Sequence, residues 1–260
     1  MKKFNRIYDT RHGKFICSVL DHYIGGSLSL LGECCELELR DILRWVTPDS
    51  VVIDAGACIG TLAIPISRHC RTVLAIEPEP HNFMRLCGNV SLNNCINVLT
   101  LNAAVGDHDG IAWHRAVDPQ RETNIGGLHV GEVSENEARR ATQLVRLDSL
   151  GMPADLIKLD VEGMEAAALR GASELLMQKR PIIYCEMLFA ETSREVCRIL
   201  WDYGYDGWRR DTPYWHAENY HGCNVNPFGE TVSANAVWIH RDASVERPTE
   251  DMITEETYAG

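Results

Sequence analysis

Residues 51–60, VVIDAGACIG, place one acid and two glycines directly after an apolar run, a spacing that can bind a nucleotide-like cofactor. A nicotinamide dinucleotide fingerprint reads G-x-G-x-x-G, and its middle glycine lets the backbone touch the pyrophosphate. Here Cys58 stands at that middle position, between Gly56 and Gly60, and obstructs the approach. What remains is D-x-G-x-x-x-G at a strand end, which disfavours a dinucleotide and leaves two interpretations, a different adenosine cofactor or a tight strand-to-helix turn.

Two acids end successive predicted strands and favour the adenosine cofactor. Asp54 can bind an ammonium group, directly or through water, and would repel a diphosphate. Glu77 follows on the next strand, where an acid can accept hydrogen bonds from both ribose hydroxyls of an adenosine. The alternative for Glu77 is a cap on the helix that begins after Pro78. S-adenosylmethionine carries an ammonium group, a sulfonium and an adenosine, so the two acids predict it as the cofactor.

More acids are predicted at the same edge of the sheet. The segment 155–160, DLIKLD, is predicted to be a buried strand that delivers Asp160 and Glu162, and Glu186 ends the next strand at the same level. Asp160 is expected to face the cofactor or the substrate. Glu162 and Glu186 have a plainer alternative as helix-start, capping or ion-pair residues. Methyl transfer to a hydroxyl also requires removal of its proton, which a carboxylate or histidine could accept.

A long segment, 211–233, is rich in Trp, His, Asn and Gly, and long loops at a sheet end are often functional. His216 and His221 lie in it and are candidates for the base, with surface or packing roles as the alternative. Trp215 and its aromatic neighbours would form an apolar lid, a wall for sugar stacking, or packing for the loop. The candidates for the base are therefore Asp160, Glu162, Glu186, His216 and His221, and spacing does not select among them.

Short apolar strands alternate with amphipathic helices from residue 51 onwards, which predicts a parallel sheet with helices on both faces. A last strand follows its neighbour with no helix between them, so it is expected to run antiparallel. Seven strands with one reversed match a Rossmann-like class I methyltransferase architecture better than a pure dinucleotide fold. The predicted strands are 51–54, 72–77, 97–105, 155–160, 181–187, a strand from 205 and 234–240, and the predicted helices are 59–70, 80–93, 163–178 and 191–203.

Three regions are predicted along the chain. Residues 1–47 hold strands or a hairpin and a helix at 33–46, and form a cap on the core. Residues 48–241 are the core, with an insertion at 107–147 that carries a hairpin, a loop near the site and a charged helical piece at 133–143. Residues 242–260 are an acidic tail, expected to fray. The apolar face of the N-terminal helix would cover the site or pair two chains into a homodimer.

Charge and composition exclude several classes of partner. The formal net charge is −12, which repels phosphate backbones and argues against nucleic acid. The chain contains no apolar run long enough for a transmembrane helix, and its first residues show no signal segment. We therefore expect a cytoplasmic protein without a membrane partner. A divalent metal could assist a hydroxyl acceptor, but no ligand spacing indicates one.

Several blocks in order resemble the FkbM-type S-adenosylmethionine-dependent methyltransferases over about residues 11–240. They are RHGKF with YIGGSLSLLGE, VVIDAGACIGTLAIPIS, VLAIEPEP, LNAAVGDHDG, LVRLDSL, LIKLDVEGMEAAALRGA and NPFGETVSANAVWI. One block alone would be weak, whereas the ordered series is specific. The chain departs from the family at GECCELE, where Cys34 and Cys35 replace an aromatic-containing sequence and would alter a pocket wall.

The resemblance implies a Rossmann-like class I fold and methyl transfer, most often to an oxygen of a sugar, polyketide or other small metabolite. Within that reading, Glu33, Asn124 and Asn226 would contact the cofactor or the acceptor, each with a loop or cap role as the alternative. The residues expected to hold the cofactor are Asp54, Gly56, Ala57, Gly60, Glu77, Ala103, Ala104, Glu33 and Asp160, and those expected at the acceptor are Asn124, Trp215 and Asn226.

Other functions stay open on the sequence alone. An N-methyltransferase or a peptide methyltransferase of the same fold would keep the same acids at 54 and 77. A nicotinamide-dependent oxidoreductase is disfavoured by Cys58 in the fingerprint. A non-catalytic binding module would be expected to lose part of the acid and glycine set, which is intact here.

Overall fold

The computed structural model describes residues 4–121, 123–131 and 137–258. Strands and helices alternate through most of this part of the chain, as the hydrophobic pattern predicts. The strands are β1 (Asn5–Thr10), β2 (Gly13–Ser18), β3 (Val51–Ala55), β4 (Thr72–Ile76), β5 (Val98–Leu101), β6 (Ala104–Val105), β7 (Gly110–Arg115), β8 (Arg139–Val145), β9 (Leu156–Leu159), β10 (Ile182–Glu186), β11 (Tyr205–Pro213), β12 (Val232–His240) and β13 (Met252–Ile253). The α-helices are α1 (Ile24–Leu30), α2 (Glu36–Ile42), α3 (Ala63–Ser67), α4 (Pro80–Leu92), α5 (Glu165–Arg170), α6 (Ser173–Gln178), α7 (Ala190–Asp202) and α8 (Glu255–Tyr258).

The main sheet has eight strands in the order β13-β11-β12-β10-β9-β3-β4-β5. Strands β5, β4, β3, β9 and β10 are mutually parallel, and β12 runs antiparallel to both β10 and β11. The predicted reversed strand is therefore confirmed. The predicted seven strands are all present, and the short β13 adds an eighth at the edge, antiparallel to β11.

Successive side chains of the strands pack alternately into two hydrophobic cores, one on each face of the sheet. On β3, Val52 points to the face covered by α2, α3 and α4, and Ile53 points to the face covered by α5, α6 and α7. All five residues of β3 are buried, because helices cover both faces of this central strand. Asp54 is in this run, so the sheet buries a carboxylate together with its apolar neighbours.

The N-terminal region packs on the core through a hairpin. Strands β1 and β2 pair antiparallel, and the Asn89 side chain of α4 accepts a hydrogen bond from the Ile16 amide at 2.6 Å. The predicted strands or hairpin at 14–31 are correct only up to residue 18, since Ile24–Leu30 is helical. The helix predicted at 33–46 is shorter, Glu36–Ile42, and a 3₁₀ turn continues it through Trp45.

The insertion after β5 forms a small sheet of its own. Strands β7 and β8 form the predicted hairpin, and β6 pairs parallel with β8. The single strand predicted at 97–105 is therefore divided between two sheets. The charged helical piece predicted at 133–143 is wrong for 139–143, which lie in β8, and its residues 133–136 lie outside the described residues.

Two predicted helices are interrupted or shortened. The helix predicted at 163–178 divides into α5 and α6 around Gly171, where a Cβ atom would lie 2.0 Å from the Gly106 carbonyl oxygen. The backbones meet too closely there for any larger residue. The helix predicted at 59–70 is reduced to Ala63–Ser67, and Pro65 lies inside it.

The acidic tail does not fray throughout, contrary to the prediction for 242–260. Met252–Ile253 pairs with β11 as β13, and the Arg209 amide donates to the Asp251 carbonyl at 2.9 Å. Ile253 is buried in the core beneath α7, and Met252 is half exposed. None of the helices in the described part of the chain is long and apolar enough to cross a membrane.

The docking of the tail predicts unequal effects for its two adjacent strand residues. Ile253→Ala should lower the free energy of unfolding by about 2–3 kcal/mol, because it removes buried methyl groups and leaves a cavity. Met252→Ala, on the exposed side of β13, should cost roughly 0.5 kcal/mol or less. Urea unfolding of both variants measures the difference, and equal effects would show that the tail does not pack on the core.

Candidate active site

A cavity of about 380 Å³ opens at the carboxyl ends of the parallel strands. The ends of β3, β4, β9 and β10 supply its floor, and the loop between β7 and β8 and residue Tyr214 cover it. Strand β3 lies between β4 and β9, where the chain order reverses, and this is the position at which open α/β sheets bind ligands. The predicted site residues that line it are Asp54, Gly56, Ala57, Glu77, Ala103, Ala104, Asn124, Asp160, Glu162 and Glu186.

The turn after β3 is held tightly against the neighbouring strands. Gly56 has φ +81°, and a Cβ atom there would lie 1.7 Å from the carbonyl oxygen of Asp160. Cys58 takes a left-handed φ of 49°, and its amide donates to Glu77 Oε2 at 2.9 Å. Glycine is therefore required at position 56 by the backbone of Asp160, the residue that follows β9, whatever ligand is bound. Cys58 adopts a backbone conformation that glycine usually takes.

Asp54 is 1% exposed, and neither of its carboxylate oxygens has a hydrogen-bond partner among the described residues. Its nearest cation is the Lys158 ammonium, 3.5 Å from Oδ1. Burial raises the pKa of Asp54, and Lys158 opposes that effect. A buried carboxylate without a hydrogen bond is costly to the protein even beside one lysine, and an ammonium group of a ligand would supply the hydrogen bonds that its oxygens lack.

Lys158 was not singled out from the sequence, although it lies within DLIKLD. The pairing of β3 with β9 sets it opposite Asp54, and its Nζ donates to Asp160 Oδ2 at 3.1 Å and to the Gly56 carbonyl at 3.3 Å. Burial lowers the pKa of Lys158, but Asp160, Asp54 and Glu38 together raise it well above its ordinary value. The signal available in the sequence was a lysine in the middle of an apolar strand, a position where lysine is rare unless it is paired.

Glu77 is also buried, and its carboxylate accepts hydrogen bonds from the amides of Cys58 and Glu79 at 2.9 and 2.8 Å. Burial raises the pKa of Glu77 to about 8. The alternative role of Glu77 as the helix cap is wrong, because Glu79 is the N-cap of α4 and accepts from the Asn82 amide at 2.7 Å. Ala103 and Ala104 lie beside Glu77 on the wall, where small side chains leave room for a flat group.

A second set of carboxylates lies on the β9 and β10 side of the cavity. Burial raises the pKa of Glu162 to about 7 and, together with the neighbouring acids, raises that of Glu186 to about 9. Glu186 Oε2 is buried without a hydrogen-bond partner in the described structure. Glu38, which sequence reasoning missed, reaches the cavity from α2, accepts from Ser233 Oγ at 3.3 Å, and has its pKa raised by burial to about 7.

Six predicted site residues do not line the cavity, namely Gly60, Glu33, His216, His221, Trp215 and Asn226. Glu33 is buried, and its carboxylate is hydrogen-bonded to Arg11 Nε at 2.6 Å, to His216 Nε2 at 2.5 Å and to the Tyr220 amide at 3.0 Å. These contacts fasten the loop after β11 to the N-terminal region, so Glu33 and His216 act in the cover and are not assigned to the cofactor or the base.

Three more of the six, Trp215, Asn226 and His221, are also accounted for by the loop. Trp215 Nε1 donates a hydrogen bond to the Cys223 carbonyl at 3.2 Å. Asn226 is exposed, and its side-chain amide donates to the Gly229 carbonyl at 2.6 Å. His221 is exposed beside Gly32. Gly60, predicted to lie against the cofactor, instead faces Leu86 of α4 with φ +89°, so its role is to pack α4 against the turn.

Other residues at the cavity were brought there by long-range packing. Tyr23, His129, Phe189 and Tyr214 line it, and the His129 and Phe189 rings are in edge contact with centroids 5.3 Å apart. Cys34 and Cys35 lie on its wall, as their departure from the family pattern predicts, and their Sγ atoms are 3.4 Å apart. No group of three His, Cys, Asp or Glu residues within the described ranges is arranged to hold a metal ion.

A comparison with models of protein families matches residues 54–206 to the methyltransferase FkbM domain. Among solved structures, Trm5b from Pyrococcus abyssi aligns with a TM-score of 0.50 and 14% identity, over 92% of this chain and 56% of that one. An FkbM methyltransferase from Methylobacillus flagellatus KT aligns with a TM-score of 0.47 and 17% identity, over 74% of this chain and 44% of that one. A comparison with curated proteins finds no match. The fold is that of the class I Rossmann-like methyltransferases, as the strand pattern predicts.

The buried carboxylates predict how the stability of the protein without ligand depends on pH. The folded pKa of Glu186 is raised to about 9 from an ordinary value of 4.5. Between these values the folded state holds a proton that the unfolded chain releases, so the free energy of unfolding falls as pH rises. Between about pH 5.5 and about pH 8.5, the free energy of unfolding should fall less in Glu186→Gln than in wild type, and the difference should be roughly 2 kcal/mol or more.

Urea unfolding at the two pH values measures this effect in wild type and in the variant. Glu191→Gln, the same change at an exposed position on α7, should leave the dependence as it is in wild type. Equal pH dependence in wild type and Glu186→Gln would contradict the burial of an unpaired Glu186 carboxylate.

Proposed function

The chain belongs to the methyltransferase FkbM domain family, and from that membership we propose that it transfers a methyl group from S-adenosylmethionine to a hydroxyl of a small molecule such as a sugar or polyketide. The observation that carries the proposal is Asp54, a fully buried carboxylate at the wall of the cavity, neither of whose oxygens has a hydrogen-bond partner among the described residues. Lys158, 3.5 Å from Oδ1, is shared with Asp160 and the Gly56 carbonyl, and the ammonium group of the cofactor would supply a further positive partner.

The residues of the cavity fit this cofactor in their chemistry. Asp54 would bind the ammonium group, and Glu77, whose carboxylate keeps further acceptor capacity beyond its two backbone amides, would bind ribose hydroxyls. Ala103 and Ala104 would lie against the base. When bound, S-adenosylmethionine supplies an electrophilic methyl group on a sulfonium.

The chain itself must orient the acceptor and take its proton. We assign proton acceptance to Asp160, because it directly follows β9 on the cavity wall and because Lys158, 3.1 Å from its Oδ2, holds the carboxylate in place. Lys158 touches both Asp160 and the Gly56 carbonyl, so it also fixes the carboxylate relative to the turn after β3. Positioning of this kind lowers the barrier to displacement by removing motions that misalign the reacting atoms.

The cover of the cavity would exclude water. Asn124 and Gly126–Val130 form one part of it and Tyr214 another. The Ile125 amide donates to buried Asp21 Oδ2 at 2.7 Å, and the Asn82 side chain donates to the Ile125 carbonyl at 2.6 Å. These contacts fix the loop between β7 and β8 above the strand ends, where a reaction sensitive to water needs a closed wall.

Calorimetric titration with S-adenosylmethionine, S-adenosylhomocysteine and NADH tests the cofactor. The first two should bind and NADH should not. Asp54→Asn should weaken binding of S-adenosylmethionine by about thirtyfold, since it removes a charge-assisted contact in a buried site. Asp49→Asn, at an exposed position before β3, is the matched control and should bind as wild type does. Binding of NADH alone would replace the proposal with an oxidoreductase.

The role of Asp160 is separable from cofactor binding. With an acceptor found by screening for release of S-adenosylhomocysteine, Asp160→Asn should slow single-turnover transfer by about a hundredfold. Its affinity for S-adenosylhomocysteine should stay within about threefold of wild type, because Asp54 and Glu77 are intact. Nuclear magnetic resonance of the product identifies the methylated atom, and a methylated nitrogen would replace the hydroxyl acceptor with an amine or peptide one.

A further inference from the structure

The wall of the cavity has more carboxylates than cations to balance them. Among the described residues, its wall holds one lysine, Lys158, and one histidine, His129. The carboxylates on the wall are Glu38, Asp54, Glu77, Asp160, Glu162 and Glu186.

The Lys158 ammonium already contacts three neighbouring oxygen atoms. Its Nζ contacts Asp160 Oδ2 at 3.1 Å, the Gly56 carbonyl at 3.3 Å and Asp54 Oδ1 at 3.5 Å. An ammonium group has three protons, and the side chain is only 5% exposed. Lys158 therefore has no donor left to offer to acids on the far side of β9.

Most of these carboxylates have a hydrogen-bond partner on the chain, or face the position proposed for the ammonium group of the cofactor. Asp160 has Lys158, Glu38 has Ser233 Oγ, and Glu77 has two backbone amides. Asp54 faces the position proposed for the cofactor's ammonium group. Two carboxylates are left, Glu162 and Glu186, and Glu186 Oε2 is buried without a hydrogen-bond partner among the described residues.

The backbone holds Glu162 in a conformation that side chains rarely take. Its φ is 53°, and Gly163 follows with φ +94°. The next acid, Glu165, accepts from the amides of Val161 and Gly163 at 3.0 and 3.1 Å, so it and not Glu162 satisfies this helix start. A strained residue whose side chain lines a cavity indicates a functional position.

Two rings lie next to the turn that follows Glu162. Phe189 and His129 both line the cavity, and the Phe189 ring and His129 Nδ1 each come within 3.8 Å of the Cβ position at Gly163. Carboxylates next to an aromatic face form an environment that binds ammonium groups, through charge and through the ring quadrupole. The same environment would repel a carboxylate or phosphate on an acceptor.

We propose that the acceptor carries a protonated amine, which Glu162 and Glu186 bind beside Phe189 while a hydroxyl of the same molecule faces Asp160. This inference rests on the proposed function, since it names the class of acceptor for that reaction. The raised pKa values of Glu162, about 7, and Glu186, about 9, agree with it, because burial first of all, and then the charge of neighbouring Asp160, disfavours each ionised carboxylate when no positive partner is bound.

Glucosamine, glucose and glucuronate test the charge preference on a common hexose frame. Each is titrated into the chain saturated with S-adenosylhomocysteine. Glucosamine should bind at least about tenfold more tightly than glucose, and glucuronate should not bind. Glu186→Gln and Glu162→Gln should each weaken glucosamine by about tenfold and change glucose by no more than about twofold.

The controls separate this inference from the function on which it rests. Glu191→Gln, exposed on α7, should keep the glucosamine preference, and all three variants should bind S-adenosylhomocysteine as wild type does. A wild-type chain that does not bind S-adenosylhomocysteine contradicts the proposed function itself. A chain that binds it but shows no preference for glucosamine, or whose preference survives both cavity variants, overturns only the amine-bearing acceptor.

Discussion

The site depends on one buried cation, Lys158, held between acids from two neighbouring strands. Parallel pairing of β3 with β9 sets Asp54 opposite Lys158, and Asp160 follows on the same face of β9. Isolated charges at this depth would be too costly to keep. The lysine permits the sheet to carry two carboxylates at its carboxyl edge, and the remaining acids of the cavity are arranged around that group.

The balance of charge is incomplete, and this is consistent with a site built for a cationic ligand. Glu77, Glu162 and Glu186 have pKa values raised first of all by burial, so the protein without ligand would gain stability from neutral residues at these positions. Proteins retain such a cost where binding needs it, and stabilising changes at functional sites commonly reduce activity. A ligand with positive charge would replace the missing partners.

The cover of the site is fixed by a second set of buried charges, far from the strand ends. Arg11 and His216 converge on Glu33, and His12 and Arg40 converge on Glu36 at 2.6 and 2.8 Å. The Glu33 contacts join the N-terminal region to the loop after β11, where Tyr214 lines the cavity, and the Glu36 contacts hold the N-terminal region together. The family resemblance implies a cofactor or acceptor contact for Glu33, and the long loop makes His216 a candidate base. The two side chains instead contact each other across 183 residues of chain, away from the cavity wall, and support the cover.

Local patterns were sufficient for the sheet and for the acids at its edge. Apolar runs of strand length alternate with segments of helical periodicity. If the strands are parallel, an acid at the end of such a run lies at the carboxyl edge of the sheet. This rule predicts the positions of Asp54, Glu77, Asp160 and Glu186. Tertiary structure alone decided which polar residues meet. The partners of Lys158 depend on the register between β3 and β9, the place of Glu38 depends on how α2 packs, and β13 depends on an edge of β11 that is still free after β12 has paired. Each of these is a contact between segments distant in sequence, and periodicity within a segment carries no information about its partner.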